Sequence, residues 1–263
     1  KRFIPLVSNS AIDQLVGDGS APHAGAQSGD LSTSPLLEVK ALQAGYGRSQ
    51  VLFGVDLECP QSGAIALLGR NGAGKTTALK TLIGEILPTG GEIRFDGLVA
   101  TREATERRVR RGMGYVPQEH SVFTSLTVRE NLALGAISQD TADGIEMVLD
   151  FFPKLGARLD QTAGTLSGGE RKMLAISRAL LGKPKMLMLD EPTEGVWIGV
   201  IEEIAERLHR LAREMSIIIV EQHVELALRV ADHAYVMDRG KIVLEGSSKD
   251  IRDDPRLIQY LAP

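Results

Sequence analysis

The sequence predicts an α/β layered fold, a mixed and largely parallel core sheet flanked by helices, and two observations predict it. Three short and nearly continuous apolar runs, AIALL (64–68), KMLMLD (185–190) and SIIIVE (216–221), have the texture of central strands covered on both faces. Helical patterns lie between them. In the clearest, 198–212, Ile198, Ile201, Ile204, Ala205, Leu208, Leu211 and Ala212 form one apolar stripe, and Glu202, Glu203, Glu206, Arg207 and Arg210 sit off it. Strands alternating with helices specify a layered α/β architecture.

Taken in order, residues 1–35 read as a flexible tail. In 17–35 (GDGSAPHAGAQSGDLSTSP) Leu31 is the only large apolar side chain, too little to offset the entropy of ordering the chain. Residues 3–16 are more apolar but carry no clear period, so a short docking helix and a disordered tail both fit. From Leu36, LLEVKAL and VLFGVDLE alternate apolar and polar residues and predict an antiparallel β subdomain. The AIALL strand follows, and then a helical run over 77–86. Arg107, Arg108, Arg110 and Arg111 form a basic cluster partly balanced by Glu103 and Glu106. That balance favours a solvated helix face over a contact with anionic lipid. Residues 127–166 show helical patterns and no strong strand, which predicts an inserted α-helical subdomain.

Composition narrows the function. The formal net charge of −4 argues against a nucleic-acid partner, which calls for a basic domain or stripe. Cys59, the single cysteine, makes neither an internal disulfide nor a cysteine-rich zinc site, as expected in a reducing cytosol. No apolar run approaches the ~18 residues of a membrane span. The start, KRFIPLV, is too short in apolar residues for a secretory signal. Glycine is in excess: 28 residues, where usage of roughly 7% would give about 18. The excess points to loops in which backbone approaches something closely.

The chemistry begins at Gly69-Arg70-Asn71-Gly72-Ala73-Gly74-Lys75-Thr76, which fits G-x-x-x-x-G-K-[ST] without a gap. It follows a buried strand and opens a helical run beginning at Thr77, the context of a phosphate-binding P-loop. Glycines let N–H groups curl around phosphate oxygens, and the helix N-terminus adds positive partial charge. Lys75 is expected on the β- and γ-phosphates and the Thr76 hydroxyl on Mg²⁺. A second element, Met186-Leu187-Met188-Leu189-Asp190-Glu191, brings two acids to the end of a buried strand, where open α/β sheets bind ligands. Alone such a pair is often merely solvated. Beside a P-loop it places Asp190 in the Mg²⁺ shell and Glu191 against the water that attacks the γ-phosphate. A third element, Leu166-Ser167-Gly168-Gly169-Glu170, precedes the helical run 171–181 and is another anion site, with Ser167 as N-cap.

Together these motifs resemble the ATP-binding-cassette (ABC) ATPases, whose signature LSGGQ the third element matches with Glu170 in place of Gln. The resemblance covers roughly 36–262. It implies the ABC-ATPase form of the P-loop fold, with 36–117 and 167–263 as nucleotide-binding core and about 118–166 as the helical insertion. It also implies that Ser167, Gly168, Gly169 and Glu170 face the γ-phosphate of a second subunit, so that ATP joins a head-to-tail dimer. Tyr46, in AGYGRSQVL, matches the aromatic residue stacked on adenine, although a plain turn tyrosine also fits. Gln118, in GYVPQEH, matches the Q-loop residue that touches Mg²⁺ and the attacking water. His223, in IIIVEQH, matches the switch histidine at the γ-phosphate. Neither Glu119 nor Glu221 has an assigned role beyond local hydrogen bonding. After Glu191-Pro192-Thr193 the family's usual loop ends in Leu-Asp; here Glu194-Gly195-Val196-Trp197 puts the only tryptophan where the aspartate would stand. The usual aspartate-mediated coupling between two ATP sites therefore lacks its residue.

Within the family, the aspartate-free EPTEG loop, VFTSLTVRENLALGA, FFPKL and GTLSGGERKMLAISRALLGKPKMLMLDEPTEG resemble the ATPase subunits of branched-chain amino-acid importers and of urea importers. That resemblance implies an ATPase at the cytoplasmic face of the membrane. Its partners are a second ATPase subunit, identical or related, transmembrane permeases and, indirectly, an extracytoplasmic solute-binding protein. A lipid or polysaccharide exporter ATPase and a soluble ABC ATPase are the rival readings. Five glycines, Gly69, Gly72, Gly74, Gly168 and Gly169, are expected at nucleotide.

Overall fold

The computed structural model describes residues 34–136 and 141–261. The tail expected over 1–35 lies outside the described residues except for Ser34 and Pro35. Two sheets organise the rest. An antiparallel sheet is built from β1 (Leu37–Tyr46), β2 (Ser49–Cys59), β4 (Gly90–Phe95) and β5 (Leu98–Val99), in the order β2-β1-β4-β5. The core sheet holds β3 (Gly63–Leu68), β6 (Met113–Val116), β7 (Met186–Asp190), β8 (Ser216–Val220), β9 (His233–Asp238) and β10 (Lys241–Ser247), in the order β10-β9-β3-β8-β7-β6. Every neighbouring pair in it is parallel except β9 with β10.

The predicted central strands occupy the middle of that sheet, and their alternation divides the core in two. Ala64, Ala66 and Leu68 of β3, Leu187 and Leu189 of β7, and Ile217 and Ile219 of β8 face one cluster. That cluster includes Met173 and Ile176 of α5 (Gly168–Leu180) and Ile204 and Leu208 of α6 (Ile198–Leu211). Ile65, Leu67, Met186, Met188, Ile218 and Val220 face the other, with Ala78, Leu79 and Leu82 of α1 (Lys75–Ile83) and the inner face of the antiparallel sheet. Burial on both faces is why these strands read as unbroken apolar runs. Along α6, Ile201, Ile204, Ala205 and Leu208 are buried as the stripe predicts, but Ile198 in the first turn is 61% exposed.

Helix ends differ from the periodicity in instructive ways. The run predicted over 77–86 begins at Lys75 and stops at Ile83, where Gly84 at φ 92° turns the chain and returns its N–H to the Lys80 and Thr81 carbonyls. The run predicted over 171–181 begins at Gly168, because Ser167 caps it. Between β6 and β7 the chain is helical: α3 (Val128–Gly135), α4 (Thr141–Phe151) and short 3₁₀ turns, joined by a single Thr127–Thr162 bridge.

The arginine cluster requires a correction. Arg108, on α2 (Thr105–Arg110), is fully buried rather than solvated. Its guanidinium donates to the carbonyls of Thr81 and Leu82 at 2.8 and 2.6 Å, and to those of Thr101 and Glu103 at 3.0 Å each. Thr81 and Leu82 belong to the last turn of α1, where carbonyls outnumber the N–H groups that can reach them, so Arg108 supplies both hydrogen bonds and complementary charge. Arg111 is half-buried, pairs with Glu103 at 2.7 Å and also donates to the Phe95 carbonyl. Arg107 and Arg110 are the exposed members.

Candidate nucleotide site

The site forms at the carboxyl ends of β3, β7 and β8. Residues 69–74 leave β3 and enter α1 without a side-chain cap, so the first N–H groups of that helix stay available to an anion. Glycine is required at two positions of this turn for different reasons. A Cβ on Gly69 would lie 2.3 Å from the Met237 carbonyl oxygen. Gly72 has open space around it but sits at φ 81°, where other residues are strained. Arg70 and Asn71 are exposed on the loop, Ala73 and Thr77 are buried, and the Ala73 carbonyl accepts from Gly240 N–H at 2.8 Å. Lys75 is buried and donates to the Gly69 and Arg70 carbonyls at 2.7 and 3.0 Å. Burial lowers its pKa, while Glu191, Asp190 and Glu221 pull it back up.

Strand register brings the acids to this loop. Asp190 is paired with Val220, and Glu191 N–H donates to the Val220 carbonyl at 2.9 Å. Asp190, buried, accepts from Thr76 Oγ1 at 3.2 Å and from the Tyr115 hydroxyl at 3.3 Å. Its pKa is raised by burial against the pull of both hydrogen bonds. The hydroxyl and carboxylate are hard oxygen donors of the kind that Mg²⁺ takes, so this pair fits that ion.

Glu191 is 4% exposed and adopts φ 47°, a left-handed backbone that is strained for a glutamate. Gln118 Nε2 donates to its Oε2 at 2.9 Å and to Glu194 Oε2 at 2.8 Å. The structure thus brings Gln118 to Glu191. It does not bring His223 there. His223 is exposed, caps the start of α7 (Val224–Val230) without a side-chain cap bond, and has no side-chain hydrogen bond among the described residues. The side chain opposite Glu191 is Gln222, whose Nε2 lies 2.9 and 3.0 Å from the two carboxylate oxygens.

Glu221 makes local hydrogen bonds, and Lys172 is a member that the sequence did not mark. Glu221 is buried and accepts from Thr193 N–H and Oγ1 at 3.0 and 2.6 Å, which fixes the loop after Glu191. Lys172, on α5, donates to the Gln118 and Glu191 carbonyls at 2.9 and 3.1 Å.

Two expected elements, Tyr46 and the stretch from Ser167 to Glu170, stand apart from this cluster. Tyr46 ends β1 at the tip of the β1–β2 hairpin and is 52% exposed. Ser167 and Glu170 form a reciprocal cap: Glu170 N–H donates to Ser167 Oγ at 3.3 Å, and Glu170 Oε2 accepts from Ser167 N–H and Oγ at 2.9 Å each. These bonds from Ser167 hold the Glu170 carboxylate below its ordinary pKa. Gly168 leaves the Gly195 carbonyl 3.4 Å from the place of its missing Cβ, and Gly169 leaves room for Val200.

Known proteins are similar to this chain. The sequence profile of the family described as ABC transporter matches residues 52–194. The high-affinity branched-chain amino acid transport ATP-binding protein BraG of Pseudomonas aeruginosa is 39% identical over 226 residues, 84% of this chain and 97% of that one. The probable branched-chain amino acid transport ATP-binding protein LivF of Archaeoglobus fulgidus is 38% identical over 221 residues, 82% and 94%. The lipopolysaccharide export system ATP-binding protein LptB of Haemophilus influenzae is 33% identical over 230 residues, 84% and 95%. Among solved structures, the ADP conformation of the ATP-binding cassette MJ1267 superposes with a TM-score of 0.79 at 27% identity, covering 88% of this chain and all of that one.

Proposed function

The chain belongs to the ABC transporter family and is an ATP-binding, ATP-hydrolysing subunit; from that premise we propose that it powers uptake of branched-chain amino acids through a membrane complex. One observation carries the hydrolytic part of this reading: Lys75, Thr76, Asp190, Glu191 and Gln118 converge at the mouth of the core sheet. The solute rests on the likeness to BraG and LivF, which is higher than the likeness to the export protein LptB. Urea or another small solute is the second reading, carried by the resemblance of the EPTEG loop and signature helix to urea-importer subunits. An exporter of lipid or polysaccharide comes after it.

Each residue has a role in that reading. Gly69, Arg70, Asn71, Gly72, Ala73 and Gly74 present backbone N–H groups to the phosphates, Lys75 neutralises the β- and γ-oxygens, and Thr77 completes the first helical turn. Tyr46 stacks on adenine. Thr76 and Asp190, with Gln118, would hold Mg²⁺, which when bound would supply positive charge to the phosphates. Glu191 takes a proton from the attacking water, and Gln118 and Lys172 fix its position. Ser167, Gly168, Gly169 and Glu170 close over the ATP of a second subunit, identical or related, so that ATP binding closes the dimer and hydrolysis reopens it. Residues 36–117 and 167–263 act as the core. The insertion, about 118–166, passes the motion to transmembrane permeases, which receive solute from an extracytoplasmic binding protein. Among the described residues no helix is long and apolar enough to cross a membrane, and a place on the cytoplasmic face fits that reading.

Two measurements test it. Lys75→Ala is expected to abolish ATP turnover by the purified chain, and near-normal turnover would reject the P-loop assignment. Co-purification of the permeases, with ATPase stimulation by leucine, isoleucine or valine in the reconstituted complex, tests the solute. Stimulation by urea instead selects the second reading.

A further inference from the structure

Glu191 is held by two amides and no imidazole. Along β8, Ile217 and Ile219 face one core cluster, and Ile218 and Val220 face the other. Continuing that alternation sends Glu221 to Thr193 and Gln222 back to the mouth of the sheet, over Glu191. His223 comes one residue too late. The Glu221 carboxylate accepts from Gln222 N–H at 3.2 Å, the His223 carbonyl accepts the first hydrogen bond of α7 from Ala227 at 3.0 Å, and the His223 ring faces solvent. A strand that ends at Val220 and a helix that begins at Val224 leave one extended position aimed at Glu191, and glutamine occupies it.

We propose that Gln222, and not His223, is the positioning residue of the hydrolytic site, orienting the Glu191 carboxylate through its side-chain amide. The inference rests on the reading of Glu191 as the general base. Nε2 donates to both carboxylate oxygens, while Gln118 reaches Oε2 from the other side. Two neutral donors thus fix the rotamer of a glutamate whose backbone is already strained, and a displaced base loses rate steeply. Neither donor titrates. The charged groups around Glu191 are Lys75 of α1, Asp190 at the end of β7, Glu194 of the following loop, Lys172 of α5 and Glu221 after β8. None of them is an imidazole, whose ordinary pKa is about 6.5. The orientation of Glu191 is therefore independent of histidine protonation near neutral pH.

The test measures steady-state Mg²⁺-ATP turnover of the full chain, with affinity for a fluorescent ATP analogue followed in parallel. Gln222→Ala and the isosteric Gln222→Glu, which cannot donate, are expected to lower kcat by roughly 10- to 100-fold with analogue affinity within about threefold. His223→Ala is expected to lose far less than either. Gln222→His restores a donor that titrates, so its rate relative to the unsubstituted chain changes severalfold between pH 6 and pH 8. The same ratio stays flat for His223→Ala. A Gln222→Ala protein with full kcat, or a loss in His223→Ala equal to or larger than that in Gln222→Ala, overturns the proposal. Glu191→Gln separates the two levels of inference. If it turns over normally, Glu191 is not the base and both readings fall. If it is inactive while Gln222→Ala is not, only the role of Gln222 falls.

Discussion

Thr76 Oγ1 lies 3.2 Å from Asp190 Oδ1, so a hydroxyl in the first turn of α1 and a carboxylate at the end of β7 share one hydrogen bond across the mouth of the core sheet. The period-2 pattern of β7 dictates this meeting. Met186 and Met188 face the side of the sheet on which α1 packs, and Asp190 continues their row. The two oxygens are the pair assigned to Mg²⁺ above. Asp190→Asn is expected to raise the Mg²⁺ concentration for half-maximal turnover by about 10- to 100-fold. Because burial raises the Asp190 pKa, more of it is protonated in mild acid than of an exposed aspartate. Metal binding needs the carboxylate, so the Mg²⁺ requirement should grow as pH falls from 7 to 5. Titration of ATPase rate against Mg²⁺ at each pH checks both, and a requirement that is flat in Asp190→Asn ties the effect to this side chain.

Lys172 joins two parts of the site from a third. It stands on α5, five residues after Ser167, and holds the backbone of Gln118 and of Glu191. Burial lowers its pKa, and Glu194, Glu221, Glu191 and Asp190 oppose that shift. Lys172→Met keeps the apolar stem and removes the donor. The expected result is a kcat about tenfold lower with ATP affinity nearly unchanged, because the bonds it makes position Glu191 and do not contact nucleotide. Equal losses in kcat and affinity would make Lys172 part of the binding surface instead.

The motifs legible in the sequence were those set by chain-local chemistry. Glycine spacing and the Lys75-Thr76 pair define a loop, and unbroken apolar runs define β3, β7 and β8. Strands β4, β5 and β6 carried little signal, being short and partly exposed. What the sequence hid was tertiary. Arg108 looked like its exposed neighbours because nothing local reveals that the end of α1 lies against its guanidinium. Gln222 and His223 differ by one position, and only the register of β7 against β8 decides which of them faces Glu191. The alternation Ile218, Val220, Gln222 was the available signal.

Removing Arg108 should cost stability and not chemistry. Arg108→Met leaves the carbonyls of Thr81, Leu82, Thr101 and Glu103 without this donor in a buried place. Each unpaired acceptor costs about 1–3 kcal/mol, discounted where water enters, which gives about 3–5 kcal/mol in all. Denaturant unfolding measures it. Arg110→Met, on the exposed face of the same helix, should shift stability by less than about 0.5 kcal/mol.

Cys59 offers a clock for opening of the core. It is buried at the end of β2, its Sγ lies 3.0 Å from Ser216 Oγ, and burial pushes its thiol pKa up to about 12. At pH 8 the folded thiolate fraction is then about 10⁻⁴, against roughly a quarter for an exposed cysteine of pKa about 8.5. A thiol reagent should therefore label the native chain only through unfolding. The labelling rate should rise with denaturant in step with loss of circular dichroism. Fast labelling in the native baseline would show that β2 opens separately from the core sheet.

Trp197 tests the head-to-tail dimer without any added probe. It is 75% exposed, precedes the equally unpaired Ile198 at 61%, and sits in the loop that Glu191 begins. That loop touches the start of α5, where a Cβ on Gly168 would lie 3.4 Å from the Gly195 carbonyl oxygen. If Ser167 and the glycines after it close over the ATP of a second subunit, Trp197 is carried into the same interface. Glu191→Gln with Mg²⁺ and ATP should form a dimer by light scattering, and the emission of this single tryptophan should shift to the blue as water leaves its ring. Trp197→Ala in the same background removes a large apolar contact and should weaken the dimer at least tenfold, since buried tryptophans dominate interface energies. A dimer of full affinity in Trp197→Ala, with unshifted emission in its parent, would place the interface elsewhere.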